Sequence, residues 1–200
     1  MNKCLAFFCF CVLLGCSKNK PTDRLHETVS SQSMDYATKF NIQEDHLRVM
    51  EPWPGSSSAI EYRFENIPQR VVVTSTTHLP YLELLGLEDK LVGFVGANNI
   101  YSEKIYNRLK SGKIIEVGIN GKINLELLLA SQPDLVIAFD LGGESSTLDK
   151  IVEAGIPIVY NSDFLEETAL GRAEWIKFFG YIFDESNLAD SIFTGMVERY

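Results

Sequence analysis

The chain has 200 residues, 46% of them apolar, with a mean hydropathy of 0.00 and a formal charge of −9. That balance excludes a disordered chain, which buries too little apolar surface to offset its ordering entropy. An acidic pI near 4.9 argues against a nucleic-acid surface, which needs clustered Lys and Arg.

The first residues are a basic start, Met1-Asn2-Lys3, followed by an apolar segment over residues 4–14. It is too short to span a bilayer as a stable anchor. It ends in Leu13-Leu14-Gly15-Cys16. A small residue before cysteine, with Leu at −3, resembles the lipobox of bacterial lipoproteins, which implies cleavage after Gly15 and a lipid on the Cys16 sulfur. The alternative is an ordinary secretory peptide that happens to contain Cys16. Cys4, Cys9 and Cys11 all lie in the part to be removed, so the mature chain would have no disulfide to form. Residues 1–15 are therefore expected to be a signal peptide and residues 16–35 a polar tether.

Residues 36–66 are expected to form an antiparallel β appendage with one face on the main body. Residues 36–49 are weakly patterned, but Ile60, Tyr62 and Phe64 alternate cleanly with Glu61, Arg63 and Glu65. Pro52-Trp53-Pro54-Gly55-Ser56 between them is a turn cluster.

From residue 70 the grammar changes. The pattern predicts strands over 71–75, 91–95, 114–117, 135–139 and 158–160, and helices over 79–85, 102–109, 125–132, 147–154 and 168–179, the last closed by Gly180. The stretch Asn124 to Ala138, NLELLLASQPDLVIA, organises this series. Asn124 is placed to cap a helix whose apolar face is Leu125, Leu128 and Leu129. Pro133 cannot continue that helix, and the apolar run after it suits a strand covered on both sides. Strands alternating with helices at this spacing predict a Rossmann-like α/β lobe over residues 67–184, a mostly parallel sheet flanked by helices. An amphipathic helix with no stop signal begins near residue 185 and runs to residue 200, which suggests a fragment of a longer chain.

In an open parallel sheet, ligands sit beyond the carboxyl ends of the strands. Those ends offer Thr76, Thr77 and His78, then Asn98, Asn99 and Tyr101, then Gly118, Ile119 and Asn120, then Asp140, Gly142 and Gly143, then Asn161, Asp163 and Phe164. The nucleophile elbow GxSxG and the phosphate cradles GxGxxG and GxxxxGK[ST] are all absent. Gly142-Gly143 suits either an anion nest or an ordinary loop. His26, His46 and His78 are too scattered to imply a metal centre, and His78 is either a packed residue or a ligand contact. Arg172 and Trp175 lie one helical turn apart and suit a clamp on an anionic aromatic ligand. The alternative puts Trp175 in the core and Arg172 against Glu174 or Glu167.

The run RVVVTS, then LELLGLEDKLVGF, VGINGKINLELLLASQPDLVIA and IVEAGIPIVY, resembles the N-terminal lobe of the solute-binding proteins of iron–siderophore, haem and vitamin B12 ABC importers. The likeness covers residues 70–200, and its specific part is V-G, a short gap, N-L-E, a helix, then P-D-L-V-I. It implies two α/β lobes joined by a long helix, of which residues 185–200 would be the start, with the second lobe and half of the cleft absent. It also implies that Glu126, in N-L-E, docks onto arginines of the permease; the alternative is that Glu126 only complements the helix dipole. The chain departs from the family after the first strand, where Thr76-Thr77-His78-Leu79-Pro80 replaces the usual Pro and Glu.

The resulting expectation is a monomeric, lipid-anchored envelope protein, not an enzyme, without a cofactor, that captures a metal chelate and delivers it to an ABC permease. A ferric siderophore is the first choice of ligand, with haem or cobalamin in the same class. Thr77, His78, Tyr101, Asn120, Asp140, Arg172 and Trp175 are the candidate contacts. The competing readings are a lipid-anchored hydrolase using a Ser or Asp with His78, and a single-lobe adaptor.

Overall fold

The computed structural model describes residues 34–43, 45–119, 122–143 and 146–200. The signal peptide, Cys16 and nearly all of the tether lie outside the described residues, as does Asn120. Two sheets share the core. The small one runs β1 (Phe40–Gln43), β2 (His46–Val49), β3 (Ile60–Tyr62), antiparallel throughout. The weakly patterned stretch 36–49 is thus a hairpin of two strands. Each strand is four residues long, too short for alternation to stand out.

The main sheet is built from β4 (Val71–Val73), β5 (Leu91–Val95), β6 (Ile115–Ile119), β7 (Lys122–Ile123), β8 (Leu135–Ala138) and β9 (Ile158–Tyr160). Its order is β7-β6-β5-β4-β8-β9, parallel except for the β6–β7 edge hairpin. Every residue of β4, β5 and β8 is buried, because helices or the small sheet cover both faces. Alternate side chains divide between two cores. Val71, Val73, Leu135, Ile137 and Val159 meet Phe40, Leu47, Trp175 and Phe178 on one side. Val72, Val136 and Ala138 meet Leu128, Leu148 and Ile151 on the other.

The helices are α1 (Leu79–Leu84), α2 (Glu103–Lys110), α3 (Leu125–Ala130), α4 (Ser146–Glu153), α5 (Ala169–Glu174), α6 (Ile176–Ile182) and α7 (Ser186–Val197). Asn124 caps α3, its side chain accepting the Leu127 N–H at 3.1 Å. At the other end Arg70 donates to the carbonyls of Ser131 and Gln132, and Gln132 takes a left-handed φ of 49° just before Pro133. Asp134 accepts the N–H groups of Gln69 and Arg70, locking the start of β4 beside the start of β8.

The helix expected over 168–179 is two helices that break at Trp175, and the second runs through Gly180 to Ile182. Gly180 is no stop. A side-chain carbon there would lie 2.5 Å from the Ala189 Cβ, so the glycine lets α6 and α7 pack backbone to backbone. The reversal between them falls at Asp184, with φ of 60°. Helix α7 folds back along α6, burying Ala189 and Phe193 in the lobe. Among the described residues no helix is long and apolar enough to cross a membrane.

Candidate functional site

The carboxyl ends of the parallel strands form a rim whose loops are braced from beneath. After β4, Ser75 accepts the Thr77 N–H and caps a short 3-10 turn over Thr76–His78. Its hydroxyl also pairs with that of Thr77 at 2.8 Å. Thr74 reaches across the sheet, accepting the Phe139 N–H at 2.7 Å. After β5, the Glu116 carboxylate of β6 accepts the Ala97 N–H at 2.7 Å and fixes the turn that ends at Asn99. After β9, the side chain of Asn161 accepts the Asp163 N–H, and Phe164 packs against Phe139 at 4.8 Å.

Between the loops after β4 and β5 lies a cleft of about 300 Å3, lined by Thr76, Leu79, Pro80, Glu83, Asn99, Tyr101, Ser102 and Glu103. Tyr101 is 98% exposed, a large aromatic with no core role. Thr77 is exposed beside this cleft. Asp140 is half-buried in the loop after β8, where it accepts the Gly142 N–H at 3.0 Å. Arg172 is exposed, its Nε donating to the Glu166 carbonyl and its own carbonyl accepting from the Tyr81 hydroxyl at 2.8 Å. A larger groove of about 480 Å3 lies at the opposite end of the sheet, between residues 61–68 and the starts of β8 and β9.

Two candidates move from rim to core. Trp175 is fully buried, its ring 4.5 Å from Phe40 and 5.0 Å from Phe178, its indole N–H given to Glu166. No face of it is left for a ligand clamp. His78 is fully buried as well, near Phe179, and neither ring nitrogen has a hydrogen-bond partner. Burial pushes its pKa down to about 3, so the ring is neutral and packed, the blander of its two readings. Among the described residues no three His, Cys, Asp or Glu side chains gather around a possible metal position.

Sequence reasoning missed two features. The first is Trp53, in the turn between β2 and β3. It stands edge-on to Tyr160 at 5.3 Å, and a side-chain carbon on Gly142 would come within 3.2 Å of its ring. The appendage therefore delivers an aromatic to the β8–β9 end of the rim. The turn cluster was visible in the sequence; its distant partner was not. The second is the burial of Asp163, which the sequence offers as a strand-end residue but which lies closed under Tyr81, whose hydroxyl is 3.2 Å away. Burial raises the pKa of both groups.

Glu126 stands exposed in the first turn of α3. Helix α3 follows the two-residue antiparallel strand β7, whose Ile123 lies opposite Gly118 near the carboxyl end of β6. The Asn124 N–H bonds the Val117 carbonyl at 2.7 Å, so Glu126 begins its helix beside that end of the sheet. Leu127 and Leu129 beside it are 42% and 38% exposed, and Leu128 alone of the helix is buried.

Residues 71–200 match the family described as "Periplasmic binding protein". Over 148 residues, 70% of this chain, it is 26% identical to an uncharacterised lipoprotein of Methanocaldococcus jannaschii, covering 36% of that protein. Over 87 residues, 44% of this chain, it is 39% identical to the vitamin B12-binding protein of Yersinia pestis, covering 28% of it. A periplasmic heme binding protein from Pseudomonas aeruginosa has a similar structure, with a TM-score of 0.55 at 22% identity, over 66% of this chain and 44% of that one. An ABC-type Fe3+-hydroxamate transport system from Saccharomonospora viridis gives a TM-score of 0.55 at 22% identity, over 70% and 51%. The chain thus spans about half or less of the length of these relatives.

Proposed function

This chain belongs to the periplasmic binding protein family, and from that premise we propose that it captures a metal chelate at the rim and delivers it to an ABC permease. A ferric siderophore is the preferred ligand, with haem and cobalamin in the same class. No bond is made or broken in this role. The loops contribute contacts from Thr77, Tyr101, Asp140 and Arg172, and Trp53 joins them. His78 and Trp175 support the rim from the core. Asn120 follows β6 and keeps its place as a candidate contact by sequence position alone. Cys16 carries the lipid that holds the protein to the envelope, and the protein acts as a monomer.

The observation that carries this reading is the braced rim, with its cleft of about 300 Å3 and fully exposed Tyr101, at the strand ends where open α/β sheets bind ligands. Glu126 adds support: a carboxylate at the same end offers directional, bidentate pairing with a permease arginine, so the loaded face is the docking face.

Tryptophan fluorescence of the full-length protein tests the proposal. Trp53 lies at the rim and Trp175 in the core. Ferric siderophore, haem or cobalamin should quench saturably, and Trp53→Phe should remove most of the quenching. Silence with all three would sink the proposal.

A further inference from the structure

The rim carries two clusters of the same chemistry. At its middle, between the loops after β4 and β5, the exposed ring of Tyr101 shares its cleft with Glu83 and Glu103. Among the described residues no Lys, Arg or His nitrogen comes within 4.0 Å of either carboxylate. The neighbouring cation, Lys104, is paired with Glu88 at 3.1 Å, and its charge acts more weakly on Glu83 as well. At the β8–β9 end, Trp53 and Tyr160 form an aromatic pair beside Asp140, whose charge helps raise the pKa of the Tyr160 hydroxyl after burial has done most of that work. Asp140 has no ion-pair partner among the described residues either. Against these three carboxylates stands Arg172, with one of its donors already given to the Glu166 carbonyl. Lys122 lies out on the β6–β7 hairpin, at the far edge of the sheet.

Aromatic faces flanked by carboxylates attract cations and reject anions. The first turn of α2 offers a partial positive charge to the cleft, but Glu103 sits in that turn and offsets it. We infer that the chelate held by this rim is neutral or positively charged, of the ferric trihydroxamate type. Trianionic ferric tricatecholates, and porphyrins that present carboxylates, would bring like charge against Glu83, Glu103 and Asp140. This rests on the rim being the chelate site, and it overturns the anionic clamp expected of Arg172 and Trp175.

The test compares three probes on the full-length protein: a ferric trihydroxamate bearing a protonated amine, a neutral ferric trihydroxamate, and a ferric tricatecholate. The first two should bind at least about tenfold tighter than the third, with the gap between cationic and anionic probes shrinking as salt rises. Glu83→Gln with Glu103→Gln should narrow that gap about threefold or more, chiefly by improving the tricatecholate, with Tm unchanged. Equal or tighter binding of the tricatecholate would overturn the inference while leaving capture of a chelate standing, as would a gap that the double variant does not change. Failure of all three probes to bind would remove the ferric-siderophore reading and this inference together, and the quenching test with haem and cobalamin then decides whether any chelate is captured.

Discussion

The carboxylate of Glu174 accepts the backbone N–H of Ala37 at 2.8 Å, across 137 positions of chain. The same side chain takes the N–H groups of Asp35 and Tyr36 and the ammonium of Lys177. Glu166 does likewise for Thr38 and Lys39. Two buried glutamates thus hold residues 35–39 against the lobe. Glu174→Gln leaves one acceptor oxygen for three backbone donors and leaves Lys177 with only its longer ion pairing to Asp190 at 3.7 Å. It should cost about 2–4 kcal/mol in urea unfolding; a loss below about 0.5 kcal/mol would mean the segment is not held in solution.

Acid should act in two stages. Burial lowers the His78 pKa from 6.5 to about 3, so the unfolded chain takes up a proton that the fold refuses. Stability should fall as pH drops from about 6.5, with a slope approaching 1.4 kcal/mol per pH unit. Burial alone would raise Glu174, but the hydrogen bonds from Ala37, Asp35, Lys177 and Tyr36 bring its pKa net below the ordinary 4.5. Its contribution is present above that value and is lost as pH falls through the lower folded value. His78→Leu should flatten the upper stage and Glu174→Gln the lower, as read by urea midpoints between pH 7 and 3. An unchanged upper slope in His78→Leu would place the ring in contact with water.

Gly180 faces Ala189 closely enough that any side chain would push α6 from α7. Gly180→Val should destabilise by about 1–3 kcal/mol, and Ala189→Gly in the same chain should restore part of the loss. Strict additivity of the two changes would show that the helices do not touch there.

Charge reversal at Glu126 should separate delivery from capture. Glu126→Lys should reduce chelate uptake by cells at least about tenfold, in keeping with the 2–5 kcal/mol typical of a broken interfacial charge pair. Chelate affinity should be unchanged, because α3 lies on the sheet face away from Trp175 and Phe40 and its first turn points outward. Lost affinity would place Glu126 in the cleft instead.

The parallel sheet was legible because its information is local. Asn124, Pro133 and the buried run Leu135–Ala138 each act within a few residues, and the structure uses them as the pattern implies. Of the expected apolar face of Leu125, Leu128 and Leu129, only Leu128 is buried, and Leu129 is 38% exposed. What sequence could not show depended on distant partners. Gly180 reads as a helix stop until Ala189 is seen against it. Glu174 reads as a surface partner for Arg172, yet it is buried and, like Glu166, turned to the N-terminal segment. Trp175 and His78 share helical spacing and polarity with rim residues, and only packing against Phe40, Phe178 and Phe179 shows that they face inward. Trp53 reaches the rim from more than 80 residues before Gly142, a span that no periodicity encodes.

The position of the metal is the most direct test of chelate capture at the rim. Crystals of the full-length protein grown with a ferric trihydroxamate should show an anomalous iron peak beyond the carboxyl ends of β4, β5 and β8, near Tyr101 and Asp140. A peak in the groove between residues 61–68 and the starts of β8 and β9, or a bound chelate anywhere else on the molecule, would contradict the account.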